Sequence, residues 1–360
     1  MMKEIVQLYD GGCGDRLGSQ FCRMISQEHG LTPDGMVRCG SWRQMERLPV
    51  MFYEAKDRFH PRSVMVREGV TTGVVMDMIR RQVEMCDSLQ GFTFCHSMSP
   101  SEGGMIGEVL TSLRDEFSDS VIATFSVMGH DPDVMMLHNM INMTDINIMF
   151  DNRTIHDICV SQLGLASPSY SDINHLISQV MSGVTASLRF PAPDLNNPIT
   201  DLQQLKVNSV PAPGLQFLQP SCAPLTICNR GHTQLSSSPS QLLDQLLASK
   251  HNLTSSAAGT KLTMTSTFRG PMSRAEIEDN IHRVKLPDVQ MTSNIVSVCP
   301  PCVQSSAVCV TNSTSITRML SRMKSKYSFK HEKDDLVPAN EAVKDVIQKY
   351  ENQESSKGKL

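Results

Sequence analysis

Gly11, Gly12, Cys13 and Gly14 sit between a short apolar run and an amphipathic stretch near the amino terminus. Open backbone N–H groups at such a turn, with a helix dipole behind them, suit an anion such as phosphate. Gly12, Gly14 and Gly18 miss the dinucleotide-binding pattern by one residue, and no lysine-bearing phosphate loop is present. The same glycines serve equally well in a plain strand-to-helix turn. A second group, Gly103, Gly104 and Gly107, could add donors. Its flanks oppose that: Pro100 has no N–H and Glu102 brings negative charge, so local chemistry favours a turn.

Cys299 and Cys302 have the two-residue spacing of a metal or redox pair, but no second pair completes a tetrahedral set, and the intervening prolines read as a strand-breaking turn. His96, His138, His156 and His175 read as scattered singles with no serine or cysteine nucleophile set beside them. Asn152, Tyr170 and Asn174 are of more interest. An amide can pair with a purine edge and an aromatic ring can stack on its face, although capping and packing use the same residues.

The elements that must hold these residues follow a rhythm. An apolar strand at 5–8, the glycine loop and a helix at 15–28 form the first unit, with Leu17, Phe21, Met24 and Ile25 as the buried stripe and Arg16, Arg23 and Glu28 outside it. Strand-then-helix recurs at 91–98 and 103–116, at 121–128 and 134–142, and at 146–150 and 154–163. The expected fold is α/β, a doubly wound, mostly parallel sheet. Residues 171–188 carry a nearly unbroken apolar stripe and predict a buried central helix. Prolines crowd the chain after Arg189, which puts a domain boundary near Leu188. A second α/β part follows, with helices at 240–249, 273–284 and 315–324 and strands at 262–268 and 307–310. The charged segment from Glu332 holds one helix at 339–350 and a polar end at 354–360 expected to be disordered.

At ~150 residues per domain, 360 residues fit two domains. With 40% hydrophobic residues, 19% charged and a net charge of -4, composition excludes a disordered chain and gives no electrostatic case for nucleic acid. The longest charge-free stretch, 289–317, is full of Ser, Thr, Asn and Pro and predicts no membrane span. Eleven cysteines with no apolar segment ahead of Asp10 imply free thiols in a reducing compartment.

The runs 165–176 and 181–191 closely resemble tubulin, the β-tubulin subfamily in particular. Matches at 4–6, 11–18, 86–92, 124–127, 223–226, 268–273 and 312–314 occur in family order, so the resemblance spans residues 2 to about 350. It implies a Rossmann-like GTP-binding domain at 1–188, an α/β intermediate domain at 189–328 and a C-terminal helical part at 329–360. It further implies head-to-tail assembly with an α-tubulin-like subunit, GTP or GDP with Mg2+ as cofactors, and a place in the cytoplasm and cytoskeleton. By position, Gly12 and Cys13 match the first phosphate loop, and Ser97 and Gly103 match the signature-loop region. Asn152, Tyr170 and Asn174 match guanine-contacting residues, and Glu68 matches the magnesium-associated acid.

The departures are specific. Where the family has a glycine run with a threonine, this chain has Ser99, Pro100, Ser101, Glu102, Gly103, Gly104 and Met105, and only Gly103 keeps its place. Glu102 would repel phosphate by roughly a kcal/mol or more at short range. Only residues 67–72 separate Val66 from Gly73, so an edge strand and a phosphate loop are missing, and the loop after Val127 is shortened. Gln204 stands where an α-tubulin has its catalytic glutamate and cannot act as a general base, so no catalytic residue is assigned. The polar residues 355–360 replace an acidic tail. Two expectations follow: a β-like GTP-binding subunit of microtubules, or a degenerate tubulin that does not hold GTP.

Overall fold

The computed structural model describes residues 3–38, 40–67, 69–99, 105–129, 132–192, 197–226, 237–254, 259–284, 286, 288–301, 303–326 and 333–357. In chain order the elements are β1 (Glu4–Asp10), α1 (Gly11–Glu28), α2 (Trp42–Met45), β2 (Phe52–Ala55), β3 (Arg58–Pro61), β4 (Ser63–Val66), α3 (Thr72–Glu84), β5 (Leu89–Ser97), α4 (Ile106–Glu116), β6 (Val121–Met128), α5 (Val134–Met143), β7 (Ile146–Asp151), α6 (Asn152–Ser161) and α7 (Tyr170–Arg189). They continue with α8 (Leu202–Ser209), β8 (Phe217–Ala223), α9 (Pro239–Leu247), β9 (Lys261–Arg269), α10 (Arg274–Val284), β10 (Gln290–Val296), β11 (Ser306–Ser313), α11 (Ile316–Lys326) and α12 (Lys333–Lys357).

Nine strands form one sheet in the order β10-β9-β11-β8-β7-β6-β5-β1-β4, and β2 and β3 make a separate hairpin. From β4 through β8 every neighbour is parallel. β11 runs antiparallel to both β8 and β9, and β10 is parallel to β9. The expected α/β class with a mostly parallel sheet is therefore what the chain adopts.

Period-two alternation builds the two faces. In β6, Val121, Ala123, Phe125 and Val127 pack with α1, α6 and α7, whereas Ile122 and Met128 pack with α3, α4, α5 and α12. Helices on both faces bury the strands completely, which is why β1, β6 and β7 are buried at every position. α7 is the central helix the periodicity predicted; Gly183 lets it approach the sheet so closely that a Cβ there would lie 2.2 Å from Val308 Cγ2.

Three sequence expectations are corrected. The glycines are no loop: α1 starts at Gly11, whose φ of +66 turns the chain out of β1. Glu28 is not on the solvent side; it is 2% exposed and faces Arg189 and Arg269. The polar end is helical as far as Lys357, because α12 packs along α5 and anchors through the buried Tyr350, whose hydroxyl donates to Phe217 O at 3.2 Å. The shortened segment after Val66 leaves β4 as the sheet edge beside β1.

Candidate functional site

Strand order reverses between β1 and β5: the chain leaves β1 toward β4 on one side, and β5, β6 and β7 follow on the other. In a doubly wound sheet, ligands bind beyond the carboxyl ends of the strands at such a reversal. Those ends here carry Asp10, Ser97, Met128 and Asp151.

A cleft of about 1070 Å³ opens at this edge beyond β6 and β7. Its walls include Gly129, Asn152, Asp157, Tyr170, Ile173 and Arg322. Capping sets the polar residues in place. Asp151 accepts hydrogen bonds from the Arg153 N–H (3.1 Å) and Thr154 Oγ1 (2.8 Å), which starts α6 with Asn152 as its first residue. Ser169 and Asp172 form a capping box that starts α7 at Tyr170, with the Ser169 N–H donating to Asp172 Oδ2 at 2.8 Å. Tyr170 is 69% exposed, and Asn174 lies one turn further on the same side of α7. Asp151, Arg153, Asp157 and Arg322 were not singled out by spacing; Arg322 arrives from α11, far away in sequence, so no local pattern could announce it.

The residues expected on the phosphate side, as far as they are described, do not line this cleft. Gly12 is exposed in the first turn of α1, with open space where a Cβ would stand. Cys13 is half-buried beside it. Ser97 is buried and its Oγ accepts from the Ser99 N–H at 3.2 Å, which holds the turn after β5. Gly103 and Glu68 lie outside the described residues. Asp10 occupies the β1–α1 junction at 5% exposure, and its Oδ2 meets no hydrogen-bond partner. Burial raises its carboxyl from the usual carboxylate range to about 7.

His96 is not a lone histidine. Its Nδ1–H donates to Ser97 O (3.1 Å), leaving Nε2 to accept from Ser126 Oγ at 2.9 Å. Ser126 touches Thr124 Oγ1 (3.0 Å), which reaches Asn147 Oδ1 (2.7 Å). The pair resembles a nucleophile and its base, yet both residues are fully buried, so no substrate reaches them and they bind β5, β6 and β7 together. The pairing was illegible because the two residues lie 30 positions apart on neighbouring strands. Among the described residues no three His, Cys, Asp or Glu side chains are grouped to hold a metal ion, and no helix is long and apolar enough to cross a membrane. Cys302 lies outside the described residues.

The chain is 34% identical to the tubulin beta-2 chain of Emericella nidulans over 91% of its own length and 86% of that protein. It is also 34% identical to the tubulin beta chain of Aspergillus fumigatus, with the same coverage. Identity to the tubulin beta chain of Pneumocystis carinii is 33%, over 91% of this chain and 87% of that one. This chain belongs to the tubulin family. No family model matches it. The alignments run over 393 positions, more than the 360 residues of this tubulin-family chain, so its relatives carry segments that it lacks.

The residues expected to meet a guanine base and those expected to meet its phosphates stand in different surroundings in this tubulin-family chain. The side chains of Asn152, Tyr170 and Asn174 make no hydrogen bond to the side chain of another described residue, and those of Asn152 and Tyr170 line the cleft. At the start of α1, where a phosphate would need donors or a cation, Asp10 brings an enclosed carboxyl group instead.

Proposed function

We propose that this chain is a β-like tubulin subunit that holds a guanine nucleoside or nucleotide at the carboxyl edge of its sheet and assembles head to tail with an α-tubulin-like partner. The observation that carries the proposal is the cleft flanked by α6 and α7, with the uncommitted side chains of Asn152 and Tyr170 on its wall and Asn174 one turn beyond. Head-to-tail stacking would set the opposite edge of the sheet against the neighbour. There α8 begins beside the amino ends of β1 and β5, with Lys3 Nζ 2.6 Å from Asp201 Oδ2 and the Leu202 N–H donating to Gln90 Oε1. Gln204 sits exposed on α8 with its Oε1 turned back to accept from the Thr200 N–H, so it offers a neighbour no carboxylate base.

The division into 1–188, 189–328 and 329–360, the use of residues 226–242 for lateral contacts, and a cytoplasmic, cytoskeletal location belong to the same proposal. Magnesium would be associated with Glu68.

The test is the small-molecule content of natively purified protein, released by denaturation and resolved by chromatography. Near-stoichiometric guanine nucleotide is the expected result; a folded but empty chain would overturn it. Co-sedimentation with an α-tubulin tests the partner. The second reading, a tubulin that does not retain GTP, is favoured by Asp10 at the phosphate end.

A further inference from the structure

We infer that Arg322 is the cation that receives the phosphate end of the ligand in this cleft, a contact supplied by the second half of the chain. The inference rests on the nucleotide reading of the cleft and adds to it the residue that distinguishes a nucleotide from the bare nucleoside.

The two sides of the cleft come from opposite faces of the sheet. α6 and α7 pack on one face through Ile155, Ile158 and Ile173, and they bring Asn152 and Tyr170 to the cleft. α11 packs on the other face, where Ile316, Met319, Leu320 and Met323 recur at helical spacing and are buried. That stripe leaves Arg322 on the outer side of α11, exposed and on the cleft wall. Only residues 129–133 lie between the end of β6 and the start of α5, and so short a connection does not screen α11 from the cleft.

Charge then assigns the two ends of the ligand. The α6 side carries both signs: Arg153 and His156 stand with Asp151 and Asp157, whose Oδ1 lies 3.8 Å from His156 Nδ1. On the other side, Met128, Gly129, Pro132 and Arg322 line the cleft, and among these described residues the guanidinium is the one charged group. A base held at Asn152 and Tyr170 that extends its phosphates away from α6 meets this cation. The planar fork of N–H donors on an arginine matches phosphate oxygens two at a time. The cleft, at about 1070 Å³, lies at the upper limit of small-molecule sites (~300–1,000 Å³), so room remains beyond a base and its sugar. The start of α1 does not line the cleft and holds the enclosed carboxyl of Asp10.

Arg322→Gln removes the charge from an exposed side chain and keeps a polar one in its place. Arg318 lies one turn earlier on the exposed side of α11 and outside the cleft, so Arg318→Gln removes the same charge without touching the site. The full-length protein, stripped of small molecules, is titrated with guanosine, GDP and GTP as wild type and as each variant. Wild type is expected to bind GDP and GTP more tightly than guanosine. Arg322→Gln is expected to lose about tenfold or more in GDP and GTP affinity while guanosine affinity stays within about twofold, a tenfold loss being ~1.4 kcal/mol. Arg318→Gln is expected to match wild type. An unchanged GTP-to-guanosine ratio in Arg322→Gln, or an equal loss in Arg318→Gln, would overturn the role of Arg322 and leave the nucleotide reading standing. Absence of guanosine, GDP and GTP binding by the folded wild type would overturn that reading, and this inference with it.

Discussion

Glu28 Oε1 lies 3.0 Å from Arg269 Nη1 although 241 positions separate the two residues. Ser182 Oγ donates to the same carboxylate oxygen at 2.6 Å, and Arg189 Nη2 stands 2.8 Å from Oε2, close enough for ion pairing without hydrogen-bond alignment. One buried contact thus joins the end of α1, the end of α7 and the end of β9. Two guanidiniums share a single carboxylate, and Arg189 Nη1 and Arg269 Nη2 have no partner.

Removing the carboxylate should therefore be severe. Glu28→Gln leaves two buried cations uncompensated and is expected to cost about 3–5 kcal/mol in urea unfolding. Burial alone would raise the Glu28 carboxyl, but Arg269 and Arg189 hold it at about 2. Its stabilising effect is complete above the unfolded carboxyl range near 4.5 and is lost as pH falls from there through about 2. A Glu28→Gln protein as stable as wild type would show that the cluster contributes nothing.

Local periodicity made most elements legible, and β6 falls at 121–128 as the alternation and its flanking turns required. It failed where partners are distant. Glu28 sits outside the apolar stripe of α1, and nothing local says that two arginines await it. β8 was hidden by Pro220 within it, which reads as a strand breaker; the N–H that proline lacks is not needed there because β8 pairs with β7 only at Phe217 and Leu218. β10, rich in polar residues, lies at the sheet edge, where one side needs no apolar cover. In the site, rhythm and apolar periodicity put the starts of α6 and α7 at 154 and 171, within two residues of Asn152 and Tyr170 where they begin. The burial of Asp10 depends on the strands packed around β1 and has no signal in its neighbours.

His96 gives a pH signature of known sign. Burial holds it at about 4, so it is neutral in the fold, whereas the unfolded chain protonates near 6.5. Stability is full above about 6.5 and declines as pH drops toward 4, by up to ~1.4 kcal/mol per pH unit for each such group. Buried His29, lowered to about 3, adds a term of the same sign. Thermal melts of His96→Gln should show a shallower acid decline. Ser126→Ala, which leaves Nε2 unsatisfied, should cost about 1–3 kcal/mol at neutral pH.

Gly12 and Gly14 separate site from scaffold. A Cβ at Gly14 would fall 2.6 Å from the Cys95 carbonyl oxygen and 3.0 Å from the Tyr9 carbonyl carbon, backbone atoms that cannot step aside. Gly14→Ala is expected to destabilise by about 1–3 kcal/mol in urea titrations, by prising α1 away from β1 and β5. Gly12→Ala meets nothing and should be neutral or slightly stabilising, by less than ~1 kcal/mol. Equal effects of the two substitutions would remove the close packing of α1 as the reason for Gly14.

Tyr170 is the sharpest probe of the cleft because its ring is committed to nothing else. At 69% exposure and with no side-chain hydrogen bond to another described residue, Tyr170→Ala should change stability by under about 0.5 kcal/mol. If the ring stacks on a base, the same substitution should weaken guanosine binding by about 1–3 kcal/mol, roughly five- to 150-fold, while Tyr170→Phe retains the stacking face and most of the affinity. Asn152→Ala should lose affinity for guanosine more than for inosine, since inosine lacks the exocyclic amino group that an amide oxygen can recognise. Gln204→Ala supplies the control, because α8 begins at the opposite edge of the sheet, beside Lys3 and Gln90. Equal losses for Tyr170→Ala and Gln204→Ala would mean that the measured binding does not occur between α6 and α7, whereas a loss confined to Tyr170 and Asn152 would locate the base there by a route independent of any phosphate contact.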